Sequence, residues 1–385
     1  MTAPRVRHAE VVVDLGAIRD NVATLVDRAG AAETMAVVKA DAYGHGLIPA
    51  ARAAQEGGAR WLGTAVLAEA LALRDAGLTG RVMAWLSAPG EDFRAALRAD
   101  IDVSAYADWQ LDEIAVAARA VGVAARVHLK VDTGLGRGGV MPGDWPAIVE
   151  RAHTLEAEGA VRVVGVWTHF AYADAPGHAT IAAQLAVFRA AVHHAERAGL
   201  RPEVRHAANS AATLTLPEAH FDLVRPGLAV YGLSPIPDVA SPVELGLRPA
   251  MRFTARVALV KGAPRGHGVS YGHTYTTTED TRLALVPVGY ADGVPRHASG
   301  VGPVSIGGRT FPVAGRVCMD QVVLDVGGAP VSAGDTAVVF SDGRDGEPTA
   351  QDWADAAGTI SYEIVTRVSG RLPRRYVLSP DGGEL

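Results

Sequence analysis

Residues 35–46 read MAVVKADAYGHG, a short apolar run that stops on Lys39 and passes into a polar, glycine-bearing loop. A run of that length suits a strand buried on both faces. The texture recurs along the next two hundred residues. Strand candidates lie at Met35–Lys39, Trp61–Ala65, Val82–Leu86, Ile101–Ser104, Arg126–Val131, Val163–His169, Val204–Ala207 and Asp222–Arg225. Between them lie Ala-rich stretches with apolar residues at helical spacing, among them Leu67–Ala76, Leu111–Val121 and Ile181–Ala198. Eight strands alternating with helices predict an α/β fold, a closed (β/α)8 TIM-type barrel in preference to an open sheet.

After Gly232 the pattern changes. A proline-rich link (Ser234-Pro235-Ile236-Pro237, then Ser241-Pro242) leads into short Val/Leu/Thr runs punctuated by Gly and Pro. Met251–Val260, Arg282–Val288, Val317–Val326 and Thr336–Phe340 read as strands, and Gln351–Ala357 as a short helix. A C-terminal, mainly antiparallel β domain is expected. The boundaries fall at 10–233 for the barrel and 243–385 for the β domain, with the early segment Ala9–Leu15 joining the second domain's sheet.

The 385 residues, 49% hydrophobic and 20% charged, suffice for two domains with substantial cores. A net charge of -6, no basic run and few aromatics argue against a nucleic-acid partner. No apolar run approaches a membrane span, and the polar stretch Met1–Glu10 lacks the apolar core of a leader, so cytoplasm is expected and no membrane partner. The single cysteine, Cys318, excludes an intrachain disulfide and a multi-thiolate metal site, and no metal is expected.

In such barrels the chemistry gathers at the C-terminal ends of the strands. On the predicted plan Lys39 ends the first strand, Lys130 and Asp132 the fifth, His169 the sixth and Arg225 the eighth, while Asn209 and Ser210 follow the seventh. Lys39 follows Ala36-Val37-Val38, so its amine sits where desolvation lowers its pKa, the setting of a Schiff-base lysine. Alone it would read as a snorkelling lysine; its neighbours Asp41, Tyr43, Gly44, His45 and Gly46 change that weighting. Ser210 and Gly227 follow strands seven and eight, where many barrels hold a phosphate. Ser210 also reads as a helix N-cap, and Gly227 as a plain turn residue.

Asp132–Gly139 (DTGLGRGG) has the spacing G-x-G-x-x-G but not its context. No helix opens at once, because Met141-Pro142-Gly143-Asp144 intervenes, and the next strand ends in Thr168-His169 without an acidic residue. A glycine-rich loop presenting Arg137 to an anion explains the pattern better.

Taken together, AVVKADAYGHG (36–46), LKVDTGLGRGG (129–139), VWTHF (166–170), ANS (208–210), VRPGLAVYG (224–232), GVSYGHTY (268–275), VPVGYADGVPR (286–296) and GRVCMDQ (315–321) resemble the alanine racemases, in family order and across nearly the whole chain. The resemblance implies an isomerase of L- and D-alanine that uses pyridoxal 5'-phosphate (PLP) and supplies D-alanine for peptidoglycan. Lys39 would carry PLP and act as base or acid on the D side, with Tyr271 its counterpart on the L side. Tyr271 would come from the second subunit of a homodimer with shared active sites. His169 would bond Tyr271. Tyr43, Ser210, Gly227 and Tyr362 would hold the phosphate, with Asn209 and Leu228 as further cofactor contacts. Arg137 and Met319 would bind the substrate carboxylate, Tyr290 would line the entrance, Asp320 would support it, and Lys130 matches a position that is often carbamylated and then orients Arg137.

Arg225 discriminates between reactions. The resemblance sets it against the pyridine nitrogen of PLP, and a guanidinium does not readily give up a proton. The ring would then be a weaker electron sink, which favours prompt reprotonation, a racemase rather than a same-fold decarboxylase. Broad-specificity relatives typically carry a leader and a cysteine pair; neither is read here, which favours alanine. The alternatives are a broader-specificity amino-acid racemase, a same-fold PLP amino-acid decarboxylase and, from another class, a PLP-binding barrel without catalysis.

Overall fold

The computed structural model describes residues 7–378, and the chain divides into two compact units. Residues 1–6, and the tail 379–385 that the expected second domain includes, lie outside the described residues. One unit comprises Ile18–Ala42 and Leu47–Leu247; the other takes the chain up to Ala17, the segment Tyr43–Gly46 and the chain from Arg248.

The strand β1 (Ala9–Asp14) belongs to the second unit. The first unit holds β2 (Glu33–Val37), β3 (Trp61–Thr64), β4 (Arg81–Ala84), β5 (Ile101–Ala105), β6 (Ala125–Lys130), β7 (Val161–Trp167), β8 (Val204–His206) and β9 (Leu223–Val224). They form one parallel sheet in the order β8-β7-β6-β5-β4-β3-β2-β9. Helices Leu47–Glu56, Leu67–Asp75, Phe93–Arg98, Asp108–Val121, Trp145–Ala157, Ala179–Arg197 and Ser210–Thr215 connect successive strands. The last seam, between β8 and β9, carries the backbone bonds Asp222 N to Arg205 O (3.1 Å) and Arg225 N to Ala208 O (2.9 Å), so the barrel nearly closes. The eight expected strands and the expected fold are all present. The ends differ: β2 stops at Val37 and β9 at Val224, because the backbone there turns to form the loops of the mouth.

Apolar residues of the strands fill the barrel, with Met35, Trp61, Met83, Trp167, Val204 and Leu223, from β2, β3, β4, β7, β8 and β9, in one buried cluster. Gly63 gives this layer its room: a Cβ there would stand 2.7 Å from Met35 Sδ and 2.8 Å from the Trp85 ring. The interior is not purely apolar. Asp102, His128, His206 and Arg225 are buried within it as well.

The second unit is β-rich. Its six-stranded sheet runs β16-β15-β18-β10-β1-β19 and its smaller sheets are β11-β14-β17 and β12-β13, from strands β10 (Met251–Arg256), β11 (Leu259–Ala263), β12 (Gly268–Val269), β13 (Tyr275–Thr276), β14 (Thr281–Val286), β15 (Pro303–Ile306), β16 (Arg309–Pro312), β17 (Val322–Asp325), β18 (Thr336–Phe340) and β19 (Arg374–Val377). Pairing is antiparallel except between β1 and β19. The segment Ala9–Asp14 is a strand of this sheet, registered Val11 to Phe253. The expected strand Met251–Val260 is two strands, and of Val317–Val326 only Val322–Asp325 is extended, because residues 316–321 form a loop that pairs with another loop. Among the described residues no helix is long and apolar enough to cross a membrane.

Candidate active site

The C-terminal mouth of the barrel collects the basic residues that the sequence placed at strand ends. Lys39 follows β2 by two residues and opens a single left-handed turn, with Ala40, Asp41, Ala42 and Tyr43 all at φ between 53° and 56°. L-residues adopt this conformation at a cost of about 1–2 kcal/mol each, so the surroundings must hold it. They do: Ala42 N bonds Val38 O (2.8 Å), Asp41 N donates to Glu69 Oε1 (3.1 Å), and Asp41 Oδ1 accepts from Leu47 N (2.7 Å). The turn brings Lys39 Nζ to 5.9 Å from the centre of the Trp85 ring.

Lys130 ends β6, and its Nζ lies 4.6 Å from the Trp167 ring centre and 5.8 Å from that of Tyr106. Beyond it Asp132 Oδ1 accepts from the N–H groups of Gly134 (2.9 Å), Leu135 (3.0 Å) and Gly136 (3.2 Å), which folds the glycine-rich loop and leaves Arg137 exposed on it. Gly139 is required by close approach: it has φ 133°, and a Cβ on it would meet Asp132 N at 2.5 Å. Ser210 does not cap its helix; Asn209 does, accepting from Ala212 N (3.1 Å). Ser210 Oγ instead receives the backbone N–H groups of Gly227 (2.8 Å) and Ala229 (3.3 Å), so hydroxyl and loop are drawn together after β8 and β9. Arg225 follows β9, and its guanidinium lies 4.9 Å from the Trp167 ring centre.

These groups perturb one another. Burial, then Arg137, lowers the Lys39 pKa, with Glu69 opposing. Burial, Arg137, Arg225 and Lys39 bring Lys130 down to about 8 against the pull of Asp132. Burial pulls Arg225 down to about 9, which still leaves it charged at neutral pH. His169, buried and facing Arg225, Arg137, Lys130 and Lys39, is held well below the ordinary histidine range and is therefore neutral. A mouth with four basic side chains, one neutral imidazole and Asp132 and Glu69 as opposing carboxylates suits an anionic ligand, and the lowered pKa values of its two amines favour their nucleophilic form.

The second unit places the remaining candidates on adjoining loops. Tyr271 lies in the turn between β12 and β13 and is 70% exposed. Ser270 Oγ, next to it, donates to Arg316 O (2.7 Å) and lies 3.4 Å from Cys318 Sγ. Tyr290 N donates to Cys318 O (3.0 Å) and Ala291 N to Met319 O (2.9 Å); Gly289 permits this, since a Cβ there would stand 2.3 Å from Cys318 O. Asp320 accepts from Arg371 Nη2 (2.9 Å). Tyr290 and Met319 are exposed aromatic and thioether groups on this cluster, not core residues. Also within this unit, Tyr43 packs its ring 6.2 Å from that of Tyr362, and burial, then Tyr362, pushes the Tyr43 hydroxyl up.

Residues 13–235 match the alanine racemase N-terminal domain and residues 250–376 the alanine racemase C-terminal domain. The chain belongs to the alanine racemase family. It is 62% identical over 366 residues to the alanine racemase of Frankia casuarinae, covering 95% of both chains, and 59% identical over 380 residues to that of Streptomyces coelicolor, covering 97% of both. Its fold superposes on the crystal structure of alanine racemase from D-cycloserine-producing Streptomyces lavendulae with a TM-score of 0.96 at 57% identity, covering 98% of this chain and 99% of that one. It also resembles the Bacillus anthracis alanine racemase with bound L-Ala-P, at a TM-score of 0.89 and 34% identity, with 97% and 96% covered. Relatives of this similarity and coverage support an isomerase that acts on alanine.

Sequence reasoning passed over the buried set Asp102, His128 and His206. The available signal was parity: each stands in a barrel strand among apolar neighbours, at a position where inward and outward residues alternate.

Proposed function

We propose that this chain is a PLP-dependent racemase that interconverts L- and D-alanine by two bases, in the cytoplasm, as a homodimer with shared active sites, and that it supplies D-alanine for peptidoglycan. The observation that carries the reading is the set of basic side chains at the barrel mouth: Lys39 over Trp85, and Lys130 and Arg225 over Trp167, with burial and then Arg137 lowering the Lys39 pKa. The donor set fits the cofactor. An amine whose pKa is lowered by burial and by Arg137 suits a covalent bond to an aldehyde, the Ser210 hydroxyl with the Gly227 and Ala229 amides suits a phosphate, and a buried guanidinium suits a ring nitrogen that is to stay unprotonated.

When bound, PLP supplies the electron sink that makes the Cα proton of alanine acidic. The chain's residues do the rest. Lys39 attaches the cofactor and moves a proton on one face, and Tyr271 of a second copy moves one on the other; its exposure of 70% in the isolated chain suits delivery to another subunit. Neutral His169 is able to exchange a hydrogen bond with that tyrosine. Tyr43, Tyr362, Asn209 and Leu228 complete the cofactor contacts, Arg137 and the backbone at Met319 receive the carboxylate, and Tyr290 and Asp320 shape the entrance. Lys130, at about 8, has the neutral amine that carbamylation by carbon dioxide requires, and the carbamate would give Arg137 an anionic partner. In this reading residues 10–233 carry the cofactor and 243–385 contribute to the partner's site.

The test is an absorbance spectrum of the purified protein before and after borohydride, a peptide map, and a racemisation assay with L-alanine. PLP trapped on Lys39 together with D-alanine formation supports the reading; a colourless protein that PLP does not reconstitute refutes it.

A further inference from the structure

A line of polar side chains runs inside the barrel from Arg225 towards the opposite mouth, and its chemistry fixes the direction of every bond in it. Arg225 Nη1 lies 3.0 Å from His206 Nδ1, His206 Nε2 lies 2.9 Å from His128 Nδ1, and His128 Nε2 lies 3.2 Å from Asp102 Oδ2. A guanidinium only donates, so His206 Nδ1 must accept. The neutral ring then has its proton on Nε2 and donates it to His128 Nδ1. That leaves the His128 proton on Nε2, where a carboxylate stands to receive it. The assignment read from the carboxylate end, which can only accept, is the same.

The two rings are locked against rotation. Trp167 stacks on His206 with 5.6 Å between centres and 2° between planes, and Trp61 meets His128 edge-on at 5.7 Å. Asp102 is anchored by Arg126 Nε (2.8 Å), with Arg81 at 3.7 Å, and both arginines pair with Glu203 at the strand starts. At the other end Arg225 Nη2 donates to Thr168 O (2.7 Å) and Ala207 O (3.2 Å), so three of its five N–H groups are committed to the protein. Burial and the Arg225 charge keep His206 well below the ordinary histidine range, which agrees with a neutral ring.

We propose that Asp102, His128 and His206 are positioning residues that pass the pull of the Asp102 carboxylate through two neutral imidazoles to Arg225, holding its guanidinium in one orientation and as a donor only. Hydrogen bonds in such a chain polarise one another, so the acceptor at His206 Nδ1 is stronger than an isolated imidazole. The link to the ring nitrogen rests on the cofactor reading above; the hydrogen-bond relay itself does not.

The test is NMR of the cofactor-free protein with labelled histidine, His128 and His206 being assigned from the variants H128F and H206Q. Two neutral rings protonated on Nε2 at neutral pH are expected. Asp102→Asn keeps an acceptor oxygen but removes the terminal charge, and His128→Phe removes the acceptor of the His206 Nε2–H; in both the His206 nitrogen and ring-proton signals shift as that hydrogen bond weakens, while Arg225 still holds Nδ1 as the acceptor. In the loaded enzyme either variant is expected to lower kcat about tenfold with KM for alanine little changed, the order seen on removing outer partners of a ligating group. A His206 ring protonated on Nδ1 or cationic in the unsubstituted protein, or His206 signals unmoved in both variants, overturns the relay. If borohydride traps no PLP on Lys39, the cofactor reading falls while the tautomers still decide the relay.

Discussion

Gly165 stands so close to His128 that a Cβ built on it would lie 2.1 Å from the ring's Nδ1. The register between β6 and β7 shifts at the same place, between Val127 and His128. The absence of a side chain at 165 is therefore what admits the imidazole to the barrel axis. Gly165→Ala must expel or tilt a ring that has no exposed surface, an overpacking change of about 1–3 kcal/mol. Denaturant unfolding of the cofactor-free protein measures it. A variant as stable as the parent, with His128 still bonded to His206, means that the strand yields there more easily than the packing implies.

Tyr271 and Lys39 should separate by substitution. Tyr271→Phe keeps the ring and removes the proton, so turnover from L-alanine should fall by about 10²–10⁴ while the PLP absorbance persists. Lys39→Ala should lose both. Racemisation rates followed from each enantiomer, beside the absorbance spectrum, read the two effects. Unchanged rates in both directions for Tyr271→Phe exclude it as one of the two bases.

Much of this architecture was legible because burial writes itself into residue type. Barrel strands covered on both faces must be apolar, so eight short runs stood out, and the residues that break the rule, Lys39, Lys130, His169 and Arg225, marked the mouth. Conformation at Lys39–Tyr43 was hidden, since nothing in Ala-Asp-Ala-Tyr favours a left-handed turn; bonds to Val38, Glu69 and Leu47 impose it. The interior relay shows only through strand parity, because the identity of a histidine does not itself say whether it faces in or out. Residues 317–321 carry a strand-like pattern because Val317, Cys318 and Met319 are apolar; they follow loop geometry set by Gly289 and Gly315 instead.

Lys130 makes stability depend on pH with a definite sign. Its folded pKa of about 8 lies below the ordinary 10.5, so between those values the unfolded chain binds more protons and stability rises with pH. Below about 8 the penalty is fully present. It amounts to no more than about 3.5 kcal/mol at roughly 1.4 kcal/mol per pKa unit. In carbon-dioxide-free buffer, Lys130→Met is therefore expected to be more stable than the parent near pH 7, with the difference closing towards pH 10.5. Added bicarbonate should stabilise the parent alone. Urea midpoints across that range decide it; a gap that does not vary with pH contradicts the lowered pKa.

The left-handed turn after Lys39 offers a comparison in which two costs can be separated. At Asp41, φ 53°, the side chain accepts from Leu47 N at 2.7 Å, so both Asp41→Ala and Asp41→Gly lose that bond, worth about 1 kcal/mol. Only alanine then keeps a Cβ in the left-handed region, which costs about 1–2 kcal/mol. Glycine escapes that strain but gives the unfolded chain more freedom, a loss of roughly 0.5–1 kcal/mol. The strain exceeds the entropy, so Asp41→Gly should be the more stable of the two by up to about 1 kcal/mol, the reverse of their order in an ordinary right-handed helix. Unfolding of the cofactor-free variants side by side reads the order directly, and an alanine variant that is the more stable shows that the turn holding Lys39 is not left-handed in solution.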